Sequence, residues 1–211
     1  PLRGVNIHQD RAVKGAAVSE DDIRDDFDHI REIGANALRL AHYPHSSLSY
    51  ELCDEMGILA WAEIPLVNQV THDPGFAPNA RQQLLEMIRQ HGNHCSIFTW
   101  SLSNEMYHKT TAEPMGLLQE LNALSHAEDP TRLTTLATNY RRKPLCCLTD
   151  IVAFNNYPGW YGSNADAMAG ELSRYNKVGA SRGIGVSEYG AGGSILHQDL
   201  SLKRVDPGGE W

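Results

Sequence analysis

Residues 2–10 read Leu2-Arg3-Gly4-Val5-Asn6-Ile7-His8-Gln9-Asp10, a short apolar run that ends in polar groups. The run, Leu2 to Ile7, reads as a first strand. Ser19 then opens a helix: Asp22 stands at capping-box spacing, and an acidic first turn suits the helix dipole. Ile23, Phe27, Ile30 and Ile33 recur at helical spacing, and Gly34 sits where a C-terminal cap belongs. Ala37 to Ala41 is a second short strand. A strand, a helix and a strand in this order imply a right-handed βαβ unit and a parallel sheet. An open doubly wound sheet usually carries a glycine-rich phosphate turn after its first strand. Here that position holds Asn6-Ile7-His8-Gln9-Asp10, which favours a closed barrel.

The same alternation runs on. Helix is expected over Ser47 to Met56, Asn79 to Arg89, Glu113 to Ala127 and Asn164 to Tyr175. Strands are expected over Ile58 to Glu63, Ser96 to Leu102, Leu133 to Ala137, Ile151 to Asn155 and Ile184 to Ser187. Strand starts recur about every 30 residues, close to the repeat of a (β/α)8 TIM barrel of ~250 residues. Seven units are visible. No eighth strand or helix is evident after residue 190, and Gln198 to Trp211 reads as a loop. The fold class is therefore α/β, an incomplete (β/α)8 TIM barrel forming one partial domain over residues 1–211. The chain starts at Pro1 rather than Met, so both ends are expected to be cut.

Composition excludes several classes. With 41% hydrophobic and 21% charged residues, the chain is ordinary globular material. A net charge of −8 repels phosphate, so no nucleic-acid partner is expected. No apolar run reaches the ~20 residues of a membrane span, so no membrane partner is expected either. Cys53, Cys95, Cys146 and Cys147 show no metal-type spacing and read as free thiols. They fit a reducing compartment weakly, and cytoplasm or periplasm stays open.

In a parallel barrel the active site gathers at the C-terminal strand ends. Those ends carry His8, then Arg39 and His42, Glu63, Asn104 with Glu105, Asn156 with Tyr157, and Glu188 with Tyr189. Glycoside hydrolysis needs two carboxyl groups flanking the bond, one to protonate the leaving oxygen and one to attack or to activate water. Glu105 and Glu188 end the fourth and seventh strands and suit that pairing. Glu63 is a rival for either role, or a polar cap of the third strand beside Pro65. A metal-dependent barrel hydrolase would want a His-x-His pair ending strand one, where the sequence has His8-Gln9-Asp10.

Four stretches resemble motifs of glycoside hydrolase family 2. They are residues 2–10, residues 36–44 (Asn36 to Pro44, with Arg39 and His42), residues 100–105 (Trp100 to Glu105) and residues 186–190 (Val186 to Gly190). The resemblance implies a retaining β-glycosidase acting on terminal β-linked sugars, with Glu105 as general acid/base and Glu188 as nucleophile. It places Asn104 on the sugar 2-hydroxyl, Arg39 beside Glu188, Tyr157 on the nucleophile, and His8 and His42 on sugar hydroxyls. Trp160 reads as a stacking platform for the sugar ring, or as packing. β-Sandwich domains would precede the barrel, and an oligomer is possible. Some β-galactosidases of the family bind magnesium just after strand three. The corresponding stretch here, Pro65 to Gln69, lacks those ligands, so neither metal nor cofactor is expected. The look of Ala41 to Pro44 and Ala62 to Pro65 points to β-galactosides. β-Glucuronidase and β-mannosidase are the alternatives, and a non-catalytic sugar-binding fragment is the reading from another class.

Overall fold

The computed structural model describes residues 2–106, 114–141, 143–161, 164–178 and 182–190. The expected start of the fourth helix at Glu113 and the tail after residue 190 lie outside them. Seven strands lie side by side in sequence order, every neighbouring pair parallel. They are β1 (Gly4–Ile7), β2 (Ala37–Leu40), β3 (Leu59–Glu63), β4 (Ile97–Asn104), β5 (Leu133–Thr138), β6 (Ile151–Asn155) and β7 (Gly183–Glu188). The helices between them are α1 (Glu20–Glu32), α2 (Ser47–Met56), α3 (Phe76–His91), α4 (Pro114–Glu128), α5 (Lys143–Cys146) and α6 (Met168–Val178). This is the TIM-barrel pattern carried through seven strands.

Alternation along the strands sorts the side chains into two layers. Leu38, Leu40, Ala60, Ala62, Trp100, Leu102, Leu136, Val152 and Phe154 are buried in the large core shared with the helices, together with Phe27, Tyr50, Leu84 and Leu118. The opposite phase turns into the barrel. There the residues are mostly polar: Arg39, Glu63, Thr99, Ser101, Thr135 and Asn155, all buried. Trp61, Ala137 and Ala153 form a small apolar floor among them.

Local chemistry explains the element ends. Ser19 accepts from the Asp22 N–H, and the Asp22 side chain returns to the Ser19 backbone, completing a capping box with Asp at its third position. Gly57 ends α2 in the left-handed region at φ 67°, which costs glycine nothing. α3 starts at Phe76, three residues before the expected Asn79, with Pro78 inside its first turn. A proline there gives up an N–H that has no helical partner anyway. β4 runs two residues past the expected Leu102, to Asn104. Four cysteines are free thiols, and burial raises Cys53 to about 12 and Cys146 to about 11. Among the described residues, no helix is long and apolar enough to cross a membrane.

Candidate active site

Two register shifts set the rim. One falls in β4 between Ser101 and Asn104, the other between Phe154 and Asn155, where β6 meets β7. Bulges of this kind re-aim side chains at a barrel mouth. Asn104 is held by its backbone on the loop after β3: its N–H donates to the Leu66 carbonyl at 2.9 Å and its carbonyl accepts from the Asn68 N–H at 3.0 Å. Glu105 follows at φ 50°, a left-handed conformation sparsely used by residues with a Cβ. Its N–H is anchored on the Ala137 carbonyl at 2.9 Å. The turn lifts the Glu105 carboxyl out of the strand and into the mouth.

There it lines a cleft of about 540 Å³ with Glu188, His42, Asn104, Asn139, Asn155, Asn156, Tyr157 and Tyr161. A chain of hydrogen bonds through three side chains connects the two carboxylates. Asn155 Nδ2 donates to Glu105 Oε1 at 2.8 Å and to Asn104 Oδ1 at 3.0 Å. Arg39 Nη2 donates to the same Asn104 oxygen at 2.9 Å, and Arg39 Nη1 donates to Glu188 Oε1 at 2.6 Å. Two donors at Asn104 Oδ1 leave its amide N–H groups for the cleft, where they suit a sugar hydroxyl. The Tyr157 hydroxyl donates to Glu188 Oε2 at 2.5 Å. Burial, and then Glu188, push that phenol well above its usual range, so it stays a donor.

Arg39 is 5% exposed and Glu63 is fully buried. The guanidinium spans Glu63 at 3.1 and 2.9 Å on one side and Glu188 on the other. Burial lowers its pKa, but Glu63 and Glu188 outweigh that and raise it.

The structure therefore brings Arg39, His42, Asn104, Glu105, Tyr157 and Glu188 together. It leaves two expected contacts off the cleft wall. His8 follows β1 with its ring 5.1 Å from that of His42, edge-on, and it does not line the cleft. Trp160 is 6% exposed and packs into the protein, while the neighbouring Tyr161, 62% exposed, lines the cleft. A buried indole offers no face to a sugar. Asn139, Asn155 and Tyr161 are the cleft residues not singled out from sequence. Asn155 carried a signal, being a polar residue at the C-terminal end of an apolar strand, in phase with the barrel interior. Among the described residues one trio could hold a cation, Asp25, Asp26 and His29 on α1. Arg11 already bonds both of those carboxylates, at 2.7 Å each.

The family model for the TIM-barrel domain of glycosyl hydrolases family 2 matches residues 1–195. The chain belongs to this family. A β-glucuronidase of Bacteroides fragilis is 46% identical over 218 residues, covering 100% of this chain and 31% of that protein. A β-galactosidase of Alteromonas mediterranea is 36% identical over 54% of this chain. Among solved structures, an FMN-binding β-glucuronidase from Facaelibacterium prausnitzii L2-6 superposes with a TM-score of 0.89 at 36% identity. It covers 94% of this chain and 32% of its own. The family 2 chain thus spans about a third of the length of these two β-glucuronidases and 12% of the β-galactosidase.

Proposed function

We propose that the family 2 barrel described here is the catalytic part of a retaining β-glycosidase. One observation carries this: Glu105 and Glu188 line a single cleft and are joined through Asn155, Asn104 and Arg39. Glu188, fixed by a guanidinium and a phenol, is the attacking carboxylate. Its oxygen bonds the anomeric carbon as Glu105 protonates the departing glycosidic oxygen. Glu105 then takes a proton from water, whose oxygen attacks the same carbon and releases Glu188. Retention requires the two carboxyl groups to stand ~5 to 5.5 Å apart.

The sugar is a finer matter. The Bacteroides fragilis relative, at 46% identity, and the superposed structure, at 36%, are both named β-glucuronidases. They favour a β-glucuronide over the β-galactoside expected from the motifs around His42 and Glu63. Among the described residues, the cleft wall holds no lysine or arginine to pair with a uronate. That cation would have to come from elsewhere in the protein. The test is hydrolysis of nitrophenyl β-glucuronide, β-galactoside and β-mannoside by the full-length protein, beside its Glu188→Gln variant. Turnover of one glycoside, lost in the variant, supports the reading. No turnover of any glycoside, or an active variant, overturns it.

A further inference from the structure

The carboxylate of Glu63 is the most deeply enclosed ionisable group of the mouth, and the double displacement above does not use it. Both of its oxygens are filled. Oε2 accepts from Arg39 Nε at 3.1 Å, Trp61 Nε1 at 2.9 Å and Ser101 Oγ at 2.8 Å. Oε1 accepts from Arg39 Nη2 at 2.9 Å and meets His42 Nδ1 at 2.8 Å. A surround made of donors suits an anion and nothing else. Burial alone would raise this carboxyl's pKa, but Arg39 and His42 hold it below the usual range.

The same contacts decide the tautomer of His42. Arg39 Nη2 carries two hydrogens, and both are spoken for, by Glu63 Oε1 and by Asn104 Oδ1. Its 3.1 Å approach to His42 Nδ1 therefore supplies no hydrogen bond to that ring. Nδ1 must itself carry a hydrogen and donate it to Glu63. Nε2 then lies on the cleft side, 3.7 Å from Glu188 Oε1.

We propose that Glu63 is a positioning residue of this site: its buried carboxylate fixes the guanidinium of Arg39 against Glu188 and selects the ring nitrogen that His42 presents to the sugar. The inference rests on the glycosidase reading of Glu188. Glu63 touches no substrate and acts through its two partners, Arg39 and His42. The charged and titratable groups around it are Arg39 and His42 in contact, with Glu188 and His45 beyond them.

Two variants of the full-length protein separate this from a packing role. Glu63→Gln keeps the shape and removes the charge. Its amide must aim hydrogens at a donor, which turns His42 Nδ1 into an acceptor or pushes Arg39 away. kcat/KM should fall about 10- to 100-fold, the scale of an ångström-size misplacement. The acid limb of the pH profile should move to lower pH, because a negative charge has gone from beside the attacking carboxylate. Glu63→Asp keeps the charge and withdraws it by one methylene, so kcat/KM should fall while the acid limb stays put. If Glu63→Gln does not accumulate as folded protein, the Glu63→Asp result decides alone. Wild-type kcat/KM in either folded variant, or an equal loss at every pH in Glu63→Gln, overturns the proposal. A wild-type protein inert on every glycoside sinks the glycosidase reading instead, so the two failures are distinguishable.

Discussion

At the scale of single residues, function is a matter of which atom each side chain has left over. Tyr157 offers one hydrogen, and Glu188 takes it. A hydrogen bond to a charged group is worth ~1.5–3 kcal/mol, so Tyr157→Phe should lower kcat about 10- to 100-fold with KM little changed. Steady-state kinetics on a nitrophenyl glycoside checks this. Glu105→Ala should keep slow turnover of substrates with good leaving groups and lose it on poor ones, and added azide should restore rate to the first kind. Equal losses on both kinds would remove Glu105 from its role. Much of this constellation was legible in the sequence, because strand ends in a parallel barrel converge and Arg39, Asn104, Glu105, Tyr157 and Glu188 all stand at such ends. From sequence Glu63 fits three readings, since nothing in the chain order reveals that five donors surround it. Trp160 and Tyr161 are adjacent, and only the path of the loop decides which ring meets the cleft.

At the scale of elements, caps and burial carry the energetics. Ser19→Ala removes the acceptor of the capping box on α1 and should cost ~1 kcal/mol, read as a lower denaturation midpoint. His45, 6% exposed ahead of α2, donates from Nε2 to the Ala41 carbonyl at 3.1 Å. Burial pulls its pKa down from 6.5 to about 4. The unfolded chain therefore binds this proton more readily, and stability must rise with pH between about 4 and 6.5. The contribution is fully present above pH 6.5 and is lost as pH falls toward 4. Urea unfolding at pH 7 and pH 4.5 should show a drop that is shallower in His45→Gln. Element type was readable because periods of 2 and 3.6 alternate cleanly. Boundaries failed where local chemistry was ambiguous. α3 starts three residues before the expected Asn79, with Pro78 in its first turn. Ser103 and Asn104 lie past the expected strand end at Leu102 and are strand, with the Asn104 side chain bonded to Arg39 and Asn155 inside the barrel. The one-turn helix α5 is too short to leave a period at all.

At the scale of the whole molecule, the sheet is uneven. β2 is buried along its length, whereas β1 alternates between exposed and half-buried and β7 is at best half-buried. Across the gap between them, Asn6 Nδ2 donates to the Ser187 carbonyl at 2.9 Å. Amide hydrogen exchange should therefore be slowest in β3, β4 and β5 and fastest in β1 and β7. Fastest exchange in the middle of the sheet would contradict this layout.

The guanidinium of Arg39 draws β2, β3, β4 and β7 into one knot, through Glu63, Asn104 and Glu188. Losses inside such a knot do not add, so a chain that has lost one strand of it gains little by keeping the others. Divergence of this scaffold toward a different glycoside must then begin outside the knot. Asn139, on the cleft wall and holding none of those three bonds, is where new specificity can be written without first erasing the catalyst.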